Sequence, residues 1–247
     1  MTERGMIFNA EMVRAILDGR KTQTRRIMTV QPQSSEFGLR YIAESSLAKE
    51  VGMYFWSQSD ACGMKARSKP FACPYGKPGD RIWVRETWSS DFANYYPNDR
   101  VWYAADNNRR LDIEVVDGVR GIYSPESDVH VPFRWRPSIH MPRWASRILL
   151  EITDVRVERL NAISEEDAQR EGVHAEVWDQ TVVARNYAAR DEFFQFWSED
   201  MPHYVEMNQL YRSSFRSLWE SIYGSENWLA NPWVWVIEFK RVEGGAA

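Results

Sequence analysis

Cysteine is scarce in this chain of 247 residues, which contains only Cys62 and Cys73. Two cysteines in a chain without a secretory signal predict free thiols rather than a disulfide framework. No pair of cysteines or histidines has the close spacing of a zinc site, because the four histidines are scattered along the chain. We therefore expect no metal ion and no cofactor.

Long hydrophobic runs are also missing. No apolar segment approaches the roughly 20 residues that cross a membrane, and the polar start at residues 1–5 has neither the charged nor the apolar region of a signal peptide. The sequence therefore predicts a cytoplasmic protein with no membrane partner. It also has no internal repeat, no glycine-rich phosphate loop and no alternation of strands with helices that would indicate a parallel α/β fold.

The chain also lacks an excess of basic residues. The net charge of -4 argues against a protein that coats nucleic acid by bulk electrostatics. A local basic groove stays open as an alternative, because cations cluster at 20–26, 81–85 and 134–147. These three clusters could converge on one face of the fold.

Aromatic residues, by contrast, are plentiful, with 12 tryptophans. Most of them are expected to fill the core, although tryptophan also serves as a platform for stacked bases. The segment 132–147 alternates aromatic side chains such as Trp135 with arginines such as Arg143. This alternation suits base stacking with phosphate contact, and it equally suits a stretch that buries its aromatics and solvates its cations.

The chain is organised around a turn near its start, where a helix ends and a strand begins. Asn9 is a good N-cap, and apolar residues at helical spacing predict a helix over 10–18 that stops at Gly19. Lys21 follows at the negative end of the helix dipole, so the turn places it beside the Thr24 hydroxyl at the opening of the strand. Alternatively, the cations form a solvated edge and the threonines are ordinary strand residues.

Local patterns predict the other elements. Strands are expected at 6–8, 22–29, 81–88, 101–104, 148–160 and 231–240, and helices at 165–171 and 210–222. The last strand carries core-type residues on one face and should be central in its sheet. The helix at 165–171 has the capping residue Ser164 and the stop signal Gly172, with Glu171 as its last residue.

Glu86 shares a strand face with two core-type residues, Ile82 and Val84. A carboxylate in that position either pairs with an arginine inside the protein or points into a cleft, and pairing is the more ordinary outcome.

Two stretches, 31–78 and 173–206, show no sustained period and are interpreted as insertions outside the core, the first irregular and the second with a helical turn or two at 191–197. The whole chain, 1–247, is then expected to be a single domain of the α+β class. Its predicted architecture is a small, mostly antiparallel barrel with peripheral helices and two long insertions.

Four motifs carry a resemblance to a known family. They are Gly-Arg-Lys-Thr-Gln-Thr-Arg at 19–25, Gly-Asp-Arg-Ile-Trp-Val at 79–84, Asp-Ala-Gln-Arg-Glu-Gly at 167–172 and Trp-Val-Ile-Glu-Phe at 235–239. In this order they resemble the ASCH domain family, which implies a barrel similar to the PUA RNA-binding fold. The segment Ile-His-Met-Pro-Arg-Trp at 139–144 makes the chain similar to ASCH proteins of bacteriophages and prophages.

The resemblance implies an activity. The small bacterial N4-acetylcytidine amidohydrolases of this family use a lysine, a threonine and a glutamate, which by motif would be Lys21, Thr24 and Glu171. Lys21, with its pKa lowered by partial desolvation, would take a proton from Thr24 or a water while Glu171 orients or protonates the partners. The chain departs from these enzymes at Asp167, where they carry a histidine, and in the size of its insertions.

Two alternatives from other functional classes stay open. The first is a non-catalytic RNA-binding module, which would bind single-stranded RNA or a modified nucleoside without breaking a bond. The residues expected to contact substrate or nucleic acid are Arg20, Arg25, Arg26, Trp83, Arg85, Glu86, Trp135 and Arg143. The second is a phage assembly or host-interaction protein, whose partner surface would lie on the insertions.

Overall fold

A computed structural model of the chain describes residues 1–59, 65–91, 101–106, 113–116, 119–124, 129–132, 134–178, 181–189, 192–194 and 209–242. Its helices are α1 (Ala10–Leu17), α2 (Glu165–Arg170), α3 (Leu210–Tyr223) and α4 (Ser225–Ala230). Its strands are β1 (Glu3–Ile7), β2 (Gln23–Ile27), β3 (Gly38–Tyr41), β4 (Tyr54–Ser59), β5 (Lys65–Arg67), β6 (Arg81–Arg85), β7 (Trp88–Ser89), β8 (Trp102–Tyr103), β9 (Ile113–Val116), β10 (Val119–Ser124), β11 (Val129–Pro132), β12 (Leu149–Arg159), β13 (Ala175–Trp178), β14 (Thr181–Asn186), β15 (Glu192–Phe194) and β16 (Trp233–Arg241).

Five strands form the main sheet, in the order β1-β6-β12-β16-β2. Every neighbouring pair is antiparallel except β1 and β6, which run parallel. The edge strands β1 and β2 are linked through a side chain, because the Arg26 guanidinium donates a hydrogen bond to the Ile7 carbonyl oxygen at 2.7 Å. The predicted α+β class with mostly antiparallel strands is confirmed, and so is the central position of the last strand.

The ends of the first two helices follow from their caps. The Asn9 side chain accepts a backbone N–H of α1 at 2.8 Å, and the Ser164 hydroxyl accepts one of α2 at 3.0 Å. Both helices stop at a glycine with positive φ, Gly19 at +74° and Gly172 at +84°. The helix limits predicted from the sequence are therefore confirmed for both.

One hydrophobic core joins α1, α3 and the main sheet. Each helix presents its apolar residues at spacings of three and four, so they fall on the face that meets the sheet. The buried members include Val13 and Ile16 of α1, Leu218 and Trp219 of α3, and Leu150, Val236 and Ile237 of the sheet.

The segment 31–78 corrects the expectation of an irregular insertion outside the core. It forms a second sheet in the order β3-β4-β5, and Trp56 of β4 is only 1% exposed and belongs to the main core. The Trp56 ring lies 5.1 Å from the Trp233 ring, and its indole N–H donates to the Val30 carbonyl oxygen at 3.0 Å. The segment is therefore built into the fold.

The described part of 173–206 is also ordered against the core. Its strands form a sheet in the order β13-β14-β15, and two serines of α3 anchor it. The Ser214 hydroxyl donates to the Arg185 carbonyl oxygen at 2.7 Å, and the Ser217 hydroxyl accepts the Tyr187 N–H at 2.9 Å. The helical turn expected at 191–197 is wrong for 192–194, which form β15, and its other residues lie outside the described part of the chain.

A sheet in the order β11-β10-β9 and the β7-β8 pair lie between 88 and 132. Cys73 is a free thiol as expected, while Cys62 lies outside the described residues. Within the described ranges, no helix has both the length and the hydrophobicity that a membrane span requires.

The role of Trp56 can be tested by truncation. Trp56→Ala should lower the free energy of unfolding by about 3–5 kcal/mol, because it removes a fully buried aromatic ring and leaves a cavity. Urea unfolding followed by circular dichroism measures the loss. The control is Trp144→Ala, an exposed tryptophan whose removal should cost roughly 1 kcal/mol. Equal small losses for the two variants would show that the β3–β5 sheet does not contribute to the core.

Candidate active site

Two turns meet where the candidate catalytic residues lie. The Lys21 N–H donates to the Ala15 carbonyl oxygen at 2.9 Å, and the Thr22 N–H donates to the Arg170 carbonyl oxygen at 2.9 Å. The turn after α1 is thereby fixed against the end of α2. A Cβ atom on Gly172 would lie 2.6 Å from the Lys21 Cβ and 2.9 Å from the Ala15 Cβ. Only glycine allows this approach, which brings Lys21 beside Glu171, the residue that follows α2.

Lys21 and Glu171 form a buried ion pair. The Lys21 Nζ lies 2.8 Å from Glu171 Oε2 and donates to the Glu171 carbonyl oxygen at 2.7 Å. Their side chains are only 2% and 4% exposed. Burial lowers the pKa of Lys21, while the charge and the hydrogen bond of Glu171 oppose that shift. The amine is therefore held in place by a carboxylate and still loses its proton more readily than an ordinary lysine.

Lys21 and Glu171 line a cavity of about 220 Å³, called here the Lys21 cavity, and Thr24 lines it too. Because Lys21 precedes β2, the alternation of a strand does not send the Lys21 and Thr24 side chains to opposite faces. The other lining residues are mostly apolar or aromatic: Ile7, Phe8, Asn9, Met12, Arg25, Arg26, Phe215, Leu218, Trp219, Ile222 and Tyr223. The structure thus brings the lysine, the threonine and the glutamate to one enclosed space.

Arg25 supports the Lys21–Glu171 ion pair by binding the carboxylate oxygen of Glu171 that Lys21 does not contact. Its side chain is 0% exposed, and its guanidinium contacts Glu171 Oε1 at 3.2 Å, Glu158 Oε2 at 3.0 Å and Asp167 Oδ2 at 3.0 Å. Arg25 also lines the Lys21 cavity, but its terminal N–H groups already bind three carboxylates, and the expected contact with substrate or nucleic acid stays a prediction. Arg25 fixes the second oxygen of Glu171 while Lys21 binds the first.

Asp167 extends the same network to the main sheet. Its Oδ2 atom accepts hydrogen bonds from Arg25 and Arg156, each at 3.0 Å. Arg156 in turn contacts Glu158 at 2.6 Å and also pairs with Glu238. Asp167, the position at which the amidohydrolases carry a histidine, is therefore one carboxylate of an ion network that connects α2 to β2, β12 and β16.

Arg26 and Arg20 occupy different surroundings. Arg26 lines the Lys21 cavity, and its guanidinium lies 5.3 Å from the centre of the Phe8 ring. Arg20 points away, donating to the Gly172 carbonyl oxygen at 3.2 Å and pairing with Asp18 at 3.0 Å. Of these two arginines, only Arg26 is positioned to meet a ligand in the cavity.

Glu86 is 1% exposed and accepts two hydrogen bonds from Arg147, at 3.0 and 3.1 Å. Burial raises the pKa of Glu86, and the hydrogen bonds from Arg147 oppose the shift. The pairing expected from the strand pattern is therefore present, and the expected contact of Glu86 with substrate or nucleic acid is corrected.

Trp83, Arg85 and Arg143 lie on or beside the β1–β6 edge of the sheet, and none of them lines the Lys21 cavity. The Arg85 guanidinium lies 5.3 Å from the Trp83 ring centre, and Arg143 contacts the Glu3 carboxylate at 3.1 Å. Trp135 is half-buried and lines none of the cavities described here. The residues expected to contact nucleic acid therefore do not converge on one site.

An aromatic wall of the cavity was missed by the sequence reasoning. Phe215, Trp219 and Tyr223 of α3 are four residues apart and fall on one helix face. The Trp219 and Tyr223 ring centres are 4.5 Å apart. The stripe was visible in the sequence as core-type residues, but nothing local shows that it faces Lys21. Among the described residues, no group of three or more His, Cys, Asp or Glu side chains is arranged to hold a metal ion.

Neighbouring arginines provide a test of the buried network. Arg25→Met should lower the free energy of unfolding by about 3–5 kcal/mol, because it leaves buried carboxylates without their cation. Arg26→Met removes one hydrogen bond at the cavity rim and should cost roughly 1 kcal/mol. Urea unfolding compares the two variants. Similar losses would contradict the supporting role assigned to Arg25.

Comparison of the chain with known protein families, with curated proteins and with solved structures gave no match. The resemblance to the ASCH family therefore stays a prediction that depends on the four sequence motifs and on where their residues lie.

Proposed function

We propose that the chain is an ASCH-type amidohydrolase that removes the acetyl group from N4-acetylcytidine or a closely related modified base. The observation that carries the proposal is the Lys21–Glu171 ion pair, buried in the wall of a cavity that Thr24 also lines. The proposal includes a PUA-like barrel, in which the main sheet curls so that its edge strands approach at the Arg26 to Ile7 hydrogen bond.

The cavity has the size and the chemistry for a modified base. Its volume of about 220 Å³ is below the roughly 300–1,000 Å³ of ordinary ligand pockets, which suits one planar group rather than a long substrate. Phe8, Phe215 and Trp219 provide aromatic and apolar surface for a ring. Lys21, Thr24 and Glu171 provide the polar groups at which an amide would react.

The first chemical step follows from the lowered pKa of Lys21. The neutral amine takes the proton of the Thr24 hydroxyl, and the Thr24 oxygen forms a bond to the acetyl carbonyl carbon while the carbonyl electron pair moves to its oxygen. When the tetrahedral centre collapses, the C–N bond breaks. The Lys21 ammonium then returns the proton to the departing amine of cytidine, and the acetyl group remains as an ester on Thr24.

A water completes the cycle. Lys21 takes a proton from that water while the hydroxide oxygen bonds to the ester carbonyl carbon. When this tetrahedral centre collapses, the bond to the Thr24 oxygen breaks, the Lys21 ammonium returns its proton to that oxygen, and acetic acid leaves and releases its proton to solvent. Glu171 keeps the amine in place and offsets the positive charge whenever Lys21 is protonated, and Arg25 holds the Glu171 carboxylate in its orientation by donating to Oε1. If water attacks the amide directly, the same residues act as the base and its support, but no acetyl-Thr24 forms.

The competing function is a reader that binds RNA without turnover. Arg85, Arg143 and the exposed Trp144 on or near the β1–β6 edge favour it, because arginines beside aromatic rings contact phosphates and stack bases. None of these three residues lines the Lys21 cavity. Binding of RNA without cytidine release would therefore support the reader, and neither binding nor turnover would support an assembly or host-interaction role.

Activity is tested by incubating the protein with N4-acetylcytidine and following cytidine release by chromatography. Lys21→Ala, Thr24→Ala and Glu171→Gln should each lower kcat by about 100-fold or more, and the double variants should lose little beyond the single ones. The control is Lys240→Ala, an exposed lysine paired with Glu151 on the main sheet. Mass spectrometry of rapidly quenched reactions should detect acetyl-Thr24. Full activity in Lys21→Ala would rule out the mechanism.

The pH dependence tests the state of Lys21. A base works only when neutral, so kcat/KM should rise with pH through a single deprotonation below the ordinary lysine value of 10.5. The positive charge of Arg26 helps to lower the pKa of Lys21, so Arg26→Gln should move the rise to higher pH. A rise that does not move, or a fall of kcat/KM over this range, would contradict the assignment of Lys21 as the base.

A further inference from the structure

A cavity of about 810 Å³ lies where the β3–β5 sheet meets the beginning of β1. It is called here the Tyr41 cavity. It shares no lining residue with the Lys21 cavity. Arg4 lines the Tyr41 cavity and Ile7 lines the Lys21 cavity. These two residues are three positions apart on β1, so their Cα atoms are separated by roughly 10 Å. The two cavities are therefore separate, and the segment 31–78 forms one wall of the Tyr41 cavity.

The charges of the Tyr41 cavity leave a positive excess. Its two carboxylates already have partners. Asp80 accepts the Thr2 N–H at 2.8 Å and lies 3.5 Å from Arg4, while Asp154 pairs with Arg156 at 3.6 Å. Lys49 and Lys77 also line the cavity. Neither lysine forms an ion pair with any residue in the described ranges, so both are available to an anion.

An exposed aromatic ring lies beside these lysines. Tyr41 is 59% exposed, and its ring centre is 5.2 Å from that of Tyr54. Tyr54 in turn makes an edge contact with Trp235 of the core, at 5.4 Å. Tyr41 is therefore connected through Tyr54 to the core, and as an exposed ring in the lining of the cavity it can serve as a stacking platform.

The remaining polar groups of the cavity favour binding over chemistry. Burial raises the pKa of the Cys73 thiol and of the Tyr54 hydroxyl, so both stay protonated near neutral pH. A protonated thiol is a poor nucleophile. The lining of the cavity thus combines neutral donors, cations and an exposed ring.

We propose that the Tyr41 cavity binds a nucleotide, with the base against Tyr41 and the phosphates between Lys49 and Lys77. A neutral nucleoside would leave both lysines without a partner, and an inorganic polyphosphate would leave the ring uncovered. The same chemistry is present in a free nucleotide and in a nucleotide within a single strand. The proposal does not depend on hydrolysis at Lys21.

Isothermal titration calorimetry of the full chain tests the site with ATP, adenosine and tripolyphosphate as probes. ATP should bind more tightly than either of the other two. The double variant Lys49→Gln/Lys77→Gln should weaken ATP binding by about tenfold or more, because charge-assisted contacts to the phosphates are lost. Tyr41→Ala should weaken the binding of ATP and leave that of tripolyphosphate unchanged, which separates stacking from charge.

Two control variants locate the site. Lys240→Gln removes an exposed lysine elsewhere on the main sheet, whereas Arg26→Gln changes the Lys21 cavity. Both variants should bind ATP as the unmodified protein does. A short single-stranded oligonucleotide that binds more tightly than ATP, with the same sensitivity to Lys49→Gln/Lys77→Gln, would support the site and identify a nucleic acid strand as the source of its ligand. Absence of ATP and oligonucleotide binding, or binding lost in Arg26→Gln and retained in Lys49→Gln/Lys77→Gln, would overturn the proposal.

Discussion

The buried charges around Glu171 constrain the rest of the structure. A carboxylate at this depth is tolerated only when cations meet both of its oxygens, and here Lys21 binds one while Arg25 binds the other. These two cations come from the turn after α1 and from β2, whereas the carboxylate comes from the end of α2. The network therefore fixes the position of α2 against the main sheet, and that position determines the shape of the Lys21 cavity.

Elements with strong local signals could be predicted from the sequence. The caps at Asn9 and Ser164, the glycine stops and the long strand β12 all depend on residues within a few positions of one another. The prediction that 31–78 lies outside the core was wrong because the contacts that order this segment come from residues distant in the sequence. The burial of Trp56 comes from a contact with Trp233, which is far away in the chain, so the short and interrupted pattern around β4 gave no period to detect.

The candidate site was also predictable only in part, because local motifs can be recognised in the sequence and long-range contacts cannot. The motif resemblance named Lys21, Thr24 and Glu171, and the structure places them around one cavity. Arg25 and Arg26 are adjacent and both line the Lys21 cavity, but the three carboxylates that bind Arg25 come from β12 and from 167–171. The sequence around β2 therefore did not show that Arg25 is buried. The aromatic wall from α3 has no local signal, because helical spacing shows which residues share a face but not what that face meets.

The sheet order also bears on how the protein forms during synthesis. β2 pairs only with β16 in the main sheet, so the strand that carries Thr24 has no ladder until residues 233–241 leave the ribosome. Contacts of such long sequence separation form late. Until then Lys21, Arg25 and their carboxylates remain hydrated, and they lose water only when all of the partners are present. The nascent chain is thereby spared a buried charge without its counterion.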